Sequence, residues 1–448
     1  MRASSSVIVQ PPLNPAPPPS DVLVLGAGLA GLSAALHLGQ RYRLLERADR
    51  PGGLCRTDSR GGFLFDATGH WLHLRDPEAR HLADELLPGG WLTIARRAGV
   101  FSHGVFTPYP YQVNTRGLPP EVVLENVLGF VEAQFGEGGR ALRERGPRTF
   151  AEFVLRHLGS GFARNFMFPY NSKLWLVPLE ELDCGPLERF VPRPSLADVV
   201  AGAVGAPRGE VGYNATFLYP REGGMEAFAR ALAARLPRPA ECGVRPLAID
   251  PLRRVARLST GEEVRWRAIV STIPLPDLAR LVDGAPPRVE EAAAALRSNA
   301  VTYVNVAARE SRGPPFHWVY LPEPRFRPYR VGSASTAVPG LAPPGCRSFW
   351  VEFSAPEPLP ASEVEPAALS TLLELGFLGS RDDVLHAETR SIPHAYVICD
   401  RSWAEARATV IGWLEERDIL VAGRYGRWEY SSMEDALLAG REVARRLA

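Results

Sequence analysis

The hydrophobic positions of residues 21–46 predict a strand, a turn, a helix and a second strand. Val22–Leu25 is a continuous apolar run with the length of a buried strand. Leu29–Gly39 has helical composition, and Tyr42–Glu46 is a short second strand that ends in an acid. This order of elements is typical of the first unit of a nucleotide-binding α/β sheet.

The turn in this unit carries a glycine motif. Gly26, Gly28 and Gly31 have GxGxxG spacing, which predicts a tight turn, close approach of a pyrophosphate and close packing of helix on strand. The helix N-terminus would face the phosphate charge. Glu46 follows about 20 residues after the first glycine, where an acid accepts hydrogen bonds from a ribose. The alternatives are an ordinary glycine-rich turn or, because the segment is almost uncharged, a membrane span, which the glycines argue against.

A second glycine turn follows the first unit. The doublet Gly52–Gly53 is followed by Arg56, which predicts a second phosphate contact with the arginine as charge partner. Arg47, just before this turn, is a further candidate for cofactor binding. The alternative is a surface turn with solvated arginines, but many flavoproteins carry such a doublet here, which favours FAD.

The C-terminal region predicts another strand-to-helix step. Ile419–Ala422 has the composition of a buried strand, Gly423 and Arg424 follow, and a terminal helix runs from Met433 to Leu447. Such a step is a second place where a helix N-terminus meets a cofactor. We therefore assign Gly423, Arg424 and Met433 to the cofactor site.

The remaining hydrophobic patterns predict an α/β protein with a discontinuous Rossmann-type domain. Helical spacing over residues 119–200, including Phe150–Arg164, indicates an inserted helical domain, and residues 296–399 are strand-rich. Val270–Pro274 is typical of a parallel strand that returns to the nucleotide-binding sheet. The predicted domains are a disordered Pro-rich tail (1–20), an FAD-binding domain (21–98, 215–295 and 400–448), a helical domain (115–205) and an antiparallel β-sheet domain (99–114 and 296–399).

Composition narrows the class of protein. The 448 residues have a net charge of +1, so the overall charge does not favour binding to nucleic acid or to a membrane surface. The five cysteines are scattered without a CxxC pair, which indicates reduced thiols, a cytoplasmic protein and no metal site. No secretory signal is visible. Lys173 is the only lysine, a bias that a GC-rich genome explains.

Single residues add candidate chemistry. Gly62–Leu74 alternates like a strand and breaks before His70, which could face a ligand or be structural. Tyr109 and Gln112 lie in a Pro-punctuated stretch that offers a stacking face and an amide for a base, or is a surface loop. Arg189 has mostly apolar neighbours and needs an anionic partner.

Several of these motifs together resemble the UDP-galactopyranose mutase family, and its eukaryotic-type branch more than the bacterial one. They occur in the family's order from about residue 21 to the end of the chain. The motifs are Thr68-Gly69-His70, Pro108–Gln112, Phe166–Trp175, Glu188-Arg189, Asn214–Phe217, Trp318–Glu323, Tyr329-Arg330 and Gly423–Tyr430. In this chain Thr68 replaces a glycine of the family pattern.

The resemblance implies a flavoenzyme that interconverts pyranose and furanose forms of UDP-galactose without net redox. The N5 atom of the reduced flavin would act as nucleophile at the anomeric carbon, and NAD(P)H or another external reductant would supply the electrons. The substrate would be a nucleotide-sugar bound in the helical domain, with a homo-oligomer left open. The permanent charge of arginine suits a diphosphate leaving group.

The resemblance also implies residue roles. Arg189 and Arg330 would bind the diphosphate, and His70 would contact the flavin, so these three are the catalytic candidates. The implied substrate-binding residues are Tyr109, Gln112, Phe166, Asn171, Trp175, Asn214, Trp318, Tyr320, Tyr396 and Tyr430. Two other hypotheses stay open: an FAD-dependent oxidoreductase of the amine oxidase or protoporphyrinogen oxidase type, and a catalytically silent nucleotide-binding protein.

Overall fold

The computed structural model describes residues 20–206, 215–309 and 313–447. Its strands are β1 (Ser20–Leu25), β2 (Tyr42–Glu46), β3 (Thr57–Arg60), β4 (Phe63–Asp66), β5 (Trp91–Ala95), β6 (Ala98–Ser102), β7 (Val105–Pro108), β8 (Thr216–Pro220), β9 (Glu241–Cys242), β10 (Pro246–Asp250), β11 (Val255–Leu258), β12 (Glu263–Ser271), β13 (Ser298–Arg309), β14 (Trp318–Tyr320), β15 (Arg330–Gly332), β16 (Cys346–Ala355), β17 (Val384–Val397) and β18 (Ile419–Val421).

Helices alternate with the strands along the chain and form a separate segment between β7 and β8. They are α1 (Leu29–Leu38), α2 (Pro77–Leu86), α3 (Pro120–Phe135), α4 (Arg140–Arg145), α5 (Phe150–His157), α6 (Gly159–Phe162), α7 (Phe168–Trp175), α8 (Gly185–Glu188), α9 (Leu196–Val204), α10 (Glu226–Ala234), α11 (Leu275–Leu281), α12 (Pro287–Ala295), α13 (Ala334–Ala337), α14 (Ala361–Glu374), α15 (Trp403–Glu415), α16 (Gly423–Gly426) and α17 (Met433–Arg445).

A Rossmann-like sheet forms the first half of the fold. Its strands have the order β10-β11-β12-β1-β2-β9, and β18 pairs with β12. β1 is parallel to both β2 and β12, and β18 is parallel to β12. The returning strand predicted from the sequence is therefore confirmed. The carboxyl ends of these strands share one edge, which is where open α/β sheets bind ligands.

A second sheet has the order β17-β13-β16-β15-β14-β6-β7 and is antiparallel except for the pairing of β6 with β14. The fold is thus mixed α/β, with a Rossmann-like parallel sheet and additional antiparallel sheets, as the sequence predicts. The boundaries of the three domains stay predictions. The Pro-rich tail lies outside the described residues apart from Ser20.

Two local predictions are wrong. The helix expected over Phe150–Arg164 ends at His157, because Gly159 has a positive φ of 83° and sits directly against the backbone of Gly129 in α3. The strand expected from Gly62 to a break at Gly69-His70 ends earlier, at Asp66, two residues before Thr68, whose φ is +67°. Within the described residues, none of the helices is long and apolar enough to span a membrane.

Candidate functional site

The two glycine turns lie against each other beyond the end of β1. Gly26 has a φ of +94°, and Gly28 precedes the first turn of α1. A Cβ atom on Gly53 would lie 3.1 Å from the Cα of Gly28. Side chains at these positions would fill the space in front of the α1 N-terminus, so the glycines keep backbone N–H groups accessible to a phosphate.

Glu46 is fixed at this turn by backbone hydrogen bonds. Its Oε2 accepts the N–H of Ala27 and its Oε1 the N–H of Ala48, both at 2.9 Å. Arg56 donates from Nε to the carbonyl of Gly53 at 3.0 Å. The structure therefore brings Glu46 and Arg56 to the glycine turns, whereas the neighbouring Arg47 is exposed.

The C-terminal step reaches the same place. A Cβ on Gly423 would lie 2.6 Å from the Cβ of Ala30 in α1, so the start of α16 touches the cofactor helix. The Sδ of Met433, the first residue of α17, lies 3.6 Å from the Sγ of Cys55 beside the second glycine turn. Three separate stretches of chain thus surround the α1 N-terminus.

Arg424 extends from this step into an aromatic cluster. Its guanidinium carbon lies 5.2 Å from the ring centre of Tyr396 and 5.0 Å from that of Tyr430. Its Nε is buried and has no hydrogen-bond partner in the described part of the chain. Nη1 of the same guanidinium donates to the carbonyl of Ser431 at 3.4 Å, which leaves Nε as the donor that a ligand or a water could meet.

His70 lies on a strained loop near Arg424 and Arg330. Thr68, two residues earlier, has a φ of +67°, which is costly for a β-branched side chain. The Nδ1 of His70 is buried without a partner among the described residues. Burial, together with the charges of Arg424 and Arg330, lowers the pKa of His70 to about 4. The imidazole is therefore neutral at physiological pH.

Arg330 is held in a fixed orientation by a buried carboxylate. Its Nε and Nη2 donate to the two oxygens of Glu352 at 2.8 and 2.9 Å. Glu352 has no exposed side-chain area. Burial alone would lower the pKa of Arg330, but the charge of Glu352 and the phenols of the neighbouring tyrosines together raise it. Within the described residues Nη1 is the nitrogen left for a ligand.

Arg189 approaches the cluster from the helical segment. Its Nη2 donates to Asp435 at 2.8 Å and to the carbonyl of Tyr430 at 3.2 Å. The charge of Arg330 acts on the phenol of the same tyrosine. Tyr430 is therefore near both arginines, although they lie 141 positions apart in the sequence.

Tyrosines line the space between these cations. The ring centres of Tyr109 and Tyr320 are 5.2 Å apart, and those of Tyr396 and Tyr430 are 5.9 Å apart. Burial raises the pKa of Tyr109, Tyr320 and Tyr430. Their hydroxyls consequently stay protonated and can donate to an anion. Trp175 stacks edge-on against Tyr396 and Tyr430, at 5.7 and 5.6 Å.

Other predicted binding residues border this space with their polar atoms already engaged. Gln112 donates from Nε2 to the carbonyl of Pro192 at 2.9 Å, and Asn171 accepts from the indole of Trp175 at 3.1 Å. Phe166 packs between Tyr111 and Tyr170.

Trp318 stacks on Trp71, with ring centres 5.9 Å apart, next to the His70 loop. Its Nε1 is buried without a partner in the ranges described. Asn214, predicted to lie near the sugar, falls outside the described residues.

Sequence reasoning missed Glu352 and Arg96. The guanidinium carbon of Arg96 lies 5.0 Å from the ring centre of Tyr109. Glu352 is an acid inside the apolar run Phe349–Phe353, and such a pattern is a signal that a buried cation lies nearby. Arg96 has no comparable signal, since arginines are common throughout this chain.

The site fits a flavin dinucleotide. The glycine turns leave room for a pyrophosphate at the α1 N-terminus, and Glu46 lies beside it. The partnerless buried atoms of His70, Arg424 and Trp318 give polar contacts beyond the turn.

Comparison with known proteins gives the class. The model of the family described as flavin containing amine oxidoreductase matches residues 29–448, so the chain belongs to this family. Membership implies FAD as cofactor. Within these amine-oxidase-like flavoproteins the chain fits the UDP-galactopyranose mutases. It superposes on a crystal structure of reduced UDP-galactopyranose mutase with a TM-score of 0.88 and 25% identity, covering 96% of this chain and 95% of that one.

Curated relatives carry other names. The chain is 52% identical over 155 residues to phytoene dehydrogenase from Streptomyces griseus, covering 32% of this chain and 29% of that protein. It is 26% identical over 312 residues to coproporphyrinogen III oxidase from Mycobacterium tuberculosis, covering 64% of this chain and 66% of that protein. The chain therefore spans under two thirds of both relatives.

Proposed function

We propose that the protein is a flavin-dependent mutase that interconverts the pyranose and furanose forms of a UDP-sugar, UDP-galactopyranose and UDP-galactofuranose, without net redox. It would serve galactofuranose biosynthesis in the cytoplasm. Reduced FAD, supplied with electrons by NAD(P)H or another reductant, would provide the nucleophile at the anomeric carbon. The chain's own residues would bind the nucleotide and receive the departing diphosphate.

The observation that carries this proposal is the fixed guanidinium of Arg330 facing a tyrosine-lined space. Glu352 accepts hydrogen bonds from two nitrogens of Arg330 and thereby fixes the orientation of the third. This arrangement is expected for a cation that must bind an anion in one geometry. An amine substrate carries no anionic group that such a cation would bind.

Arg189 would supply the second contact to the diphosphate. Its pair with Asp435 is half-exposed, with 48% and 29% of the two side chains accessible. An exposed pair of this kind contributes about 1 kcal/mol at most. Arg189 can therefore exchange Asp435 for a phosphate at little cost, whereas Arg330 stays with its buried partner.

Tyr320, Tyr396 and Tyr430 would donate hydroxyls to the diphosphate, and Tyr109, Phe166 and Gln112 would hold the uracil. Asn171, Trp175 and Trp318 would border the sugar. His70 would contact the flavin as a neutral imidazole, because its pKa is lowered to about 4. The engaged polar atoms of Gln112 and Asn171 support rigid walls for the pocket.

One experiment separates the two main candidates. Dithionite-reduced protein is incubated anaerobically with UDP-galactofuranose, and the products are separated by chromatography. We expect UDP-galactopyranose to form with reduced protein and not with the oxidised control. The names of the curated relatives favour the second candidate, an FAD-dependent oxidoreductase. Oxygen consumption with an amine or porphyrinogen, and no ring interconversion, would establish that candidate instead.

A further inference from the structure

Lys173 is the one lysine among the 51 lysine and arginine residues of the chain. It lies in α7, the helix that also carries Asn171 and Trp175. All the remaining residues of this group are arginines, so the choice of a lysine at position 173 is informative. The contacts of the ammonium group show why an arginine would not fit this position equally well.

The ammonium group is surrounded by backbone carbonyls. Nζ donates to the carbonyl oxygens of Leu321 and Pro328 at 2.7 Å and to that of Glu323 at 3.3 Å. All three belong to residues 321–329, the loop that joins β14 to β15. An ammonium has three diverging donors and matches three acceptors around one point, whereas a guanidinium is a planar fork.

The loop held in this way links two residues of the candidate site. Tyr320 ends β14 immediately before the loop, and Arg330 opens β15 immediately after it. Tyr170, on the same helix as Lys173, packs against Tyr320 and Tyr329 at 5.2 and 6.2 Å between ring centres. The lysine therefore fastens the helical segment to the hairpin that presents the buried arginine.

We propose that Lys173 is a positioning residue: it fixes the loop 321–329 against α7 so that Arg330 and Tyr320 face the diphosphate of the substrate. The role as stated rests on the proposed function, since it concerns the same anion. It assigns no contact between Lys173 and the ligand. Glu352 fixes the guanidinium within the sheet, and Lys173 fixes the strand that carries it.

The environment agrees with this assignment. Burial lowers the pKa of Lys173 to about 7, and the nearby carboxylate of Glu323 limits the decrease. Holding an ammonium in such a place costs free energy that the three hydrogen bonds to carbonyls offset. A position selected only for surface charge would show neither the burial nor the convergence of carbonyls.

The test compares Lys173→Arg and Lys173→Met with the parent holoprotein, using two readouts. Amide hydrogen exchange of residues 321–330 measures the loop, and a titration with UDP measures the site. Arg143→Met is a matched control, because Arg143 donates to the carbonyls of Ala133 and Gly136 within the helical segment.

We expect both Lys173 variants to exchange faster in residues 321–330 and to bind UDP about tenfold more weakly, with FAD retained and the control unchanged. Combining Lys173→Arg with Arg330→Lys should weaken binding by less than the sum of the two single effects, because Lys173 acts in part through Arg330. A purely structural role would give additive losses.

Lys173→Arg with the exchange and UDP affinity of the parent would overturn the proposal, as would faster exchange at unchanged affinity. A parent protein that does not bind UDP would instead contradict the proposed function. In that case the exchange data still decide whether Lys173 holds the loop: unchanged exchange overturns it and faster exchange supports it.

Discussion

Asp66 is a carboxyl group that three donors surround in the interior. The hydroxyls of Thr57 and Tyr219 donate to it at 2.5 Å, and the N–H of Met225 donates at 3.1 Å. Burial raises the pKa of Asp66 to about 6 from its ordinary value of 3.8, and the hydrogen bonds only limit the increase. Asp66 therefore binds its proton more tightly in the folded protein than in the unfolded chain.

This shift predicts a pH dependence of stability. A raised pKa gives stability that is fully present below the unfolded value and is lost as pH rises through the folded value. A shift of this size represents about 3 kcal/mol, of which roughly half should be lost between about pH 5 and about pH 7.5. The free energy of unfolding is measured by denaturant titration at the two pH values. In Asp66→Asn the decrease that Asp66 causes should be absent. An equal loss in parent and variant would show that Asp66 does not cause it.

At the residue scale the sequence predicts candidate ligand-binding groups, but it does not reveal the groups that hold them in place. The resemblance to a known family predicts Arg330 and Arg189 as anion-binding residues, and the apolar neighbours of Arg189 also indicate an anionic partner. Glu352 sits in an apolar strand and its pairing depends on the register of β15 against β16, which only the three-dimensional structure gives. Lys173 appears in the sequence as a composition anomaly without a stated role.

Among the elements, α1 and α17 meet along a seam that includes Gly440. A Cβ at this position would lie 2.8 Å from the backbone nitrogen of Ala34 and even closer to the carbonyl of Ala30. Because backbone atoms cannot swing aside, the added methyl must push the two helices apart. The N-terminus of α1 is the predicted phosphate contact, so this packing also supports the cofactor site.

Two helical glycines therefore predict opposite effects of alanine. Gly440→Ala should lower the free energy of unfolding by about 2 kcal/mol and reduce retention of FAD. Gly412→Ala in α15 is the matched control, because nothing lies within 4 Å of its Cβ position. It should raise stability by roughly 0.5–1 kcal/mol. Thermal unfolding of the parent and the two variants, each loaded with FAD, measures both changes in stability. Equal changes in the melting temperature of the two variants would contradict the packing argument.

Whether a segment forms a strand or a helix is predictable here where its apolar residues follow a single spacing. β2 has the bounds expected from the sequence, and α17 begins at the expected Met433. The helical segment is harder, because Ala163–Met167 forms a π-type turn that places Phe166 toward Tyr111. Apolar spacing alone does not distinguish such a turn from a regular helix.

For the whole molecule, the candidate site exists only because distant segments converge. Arg189 comes from the helical segment, Arg330 from the antiparallel sheet, and Tyr430 from the connection between β18 and α17. Tyr430 is the common neighbour of the two arginines, because Arg189 donates to its carbonyl and the charge of Arg330 acts on its phenol. The order of motifs in the sequence predicts this convergence only through the resemblance to a known family.

The most direct measurement is a titration of the FAD-loaded protein with UDP, comparing the parent with Arg189→Met, Arg330→Lys and Arg193→Met. Arg193 is the matched control, since it pairs with Glu188 and has the same 48% exposure as Arg189. We predict that the first two variants bind UDP about tenfold or more weakly while keeping FAD, and that Arg193→Met binds like the parent. Unchanged UDP affinity in Arg189→Met and Arg330→Lys would contradict the assignment of these arginines to the diphosphate.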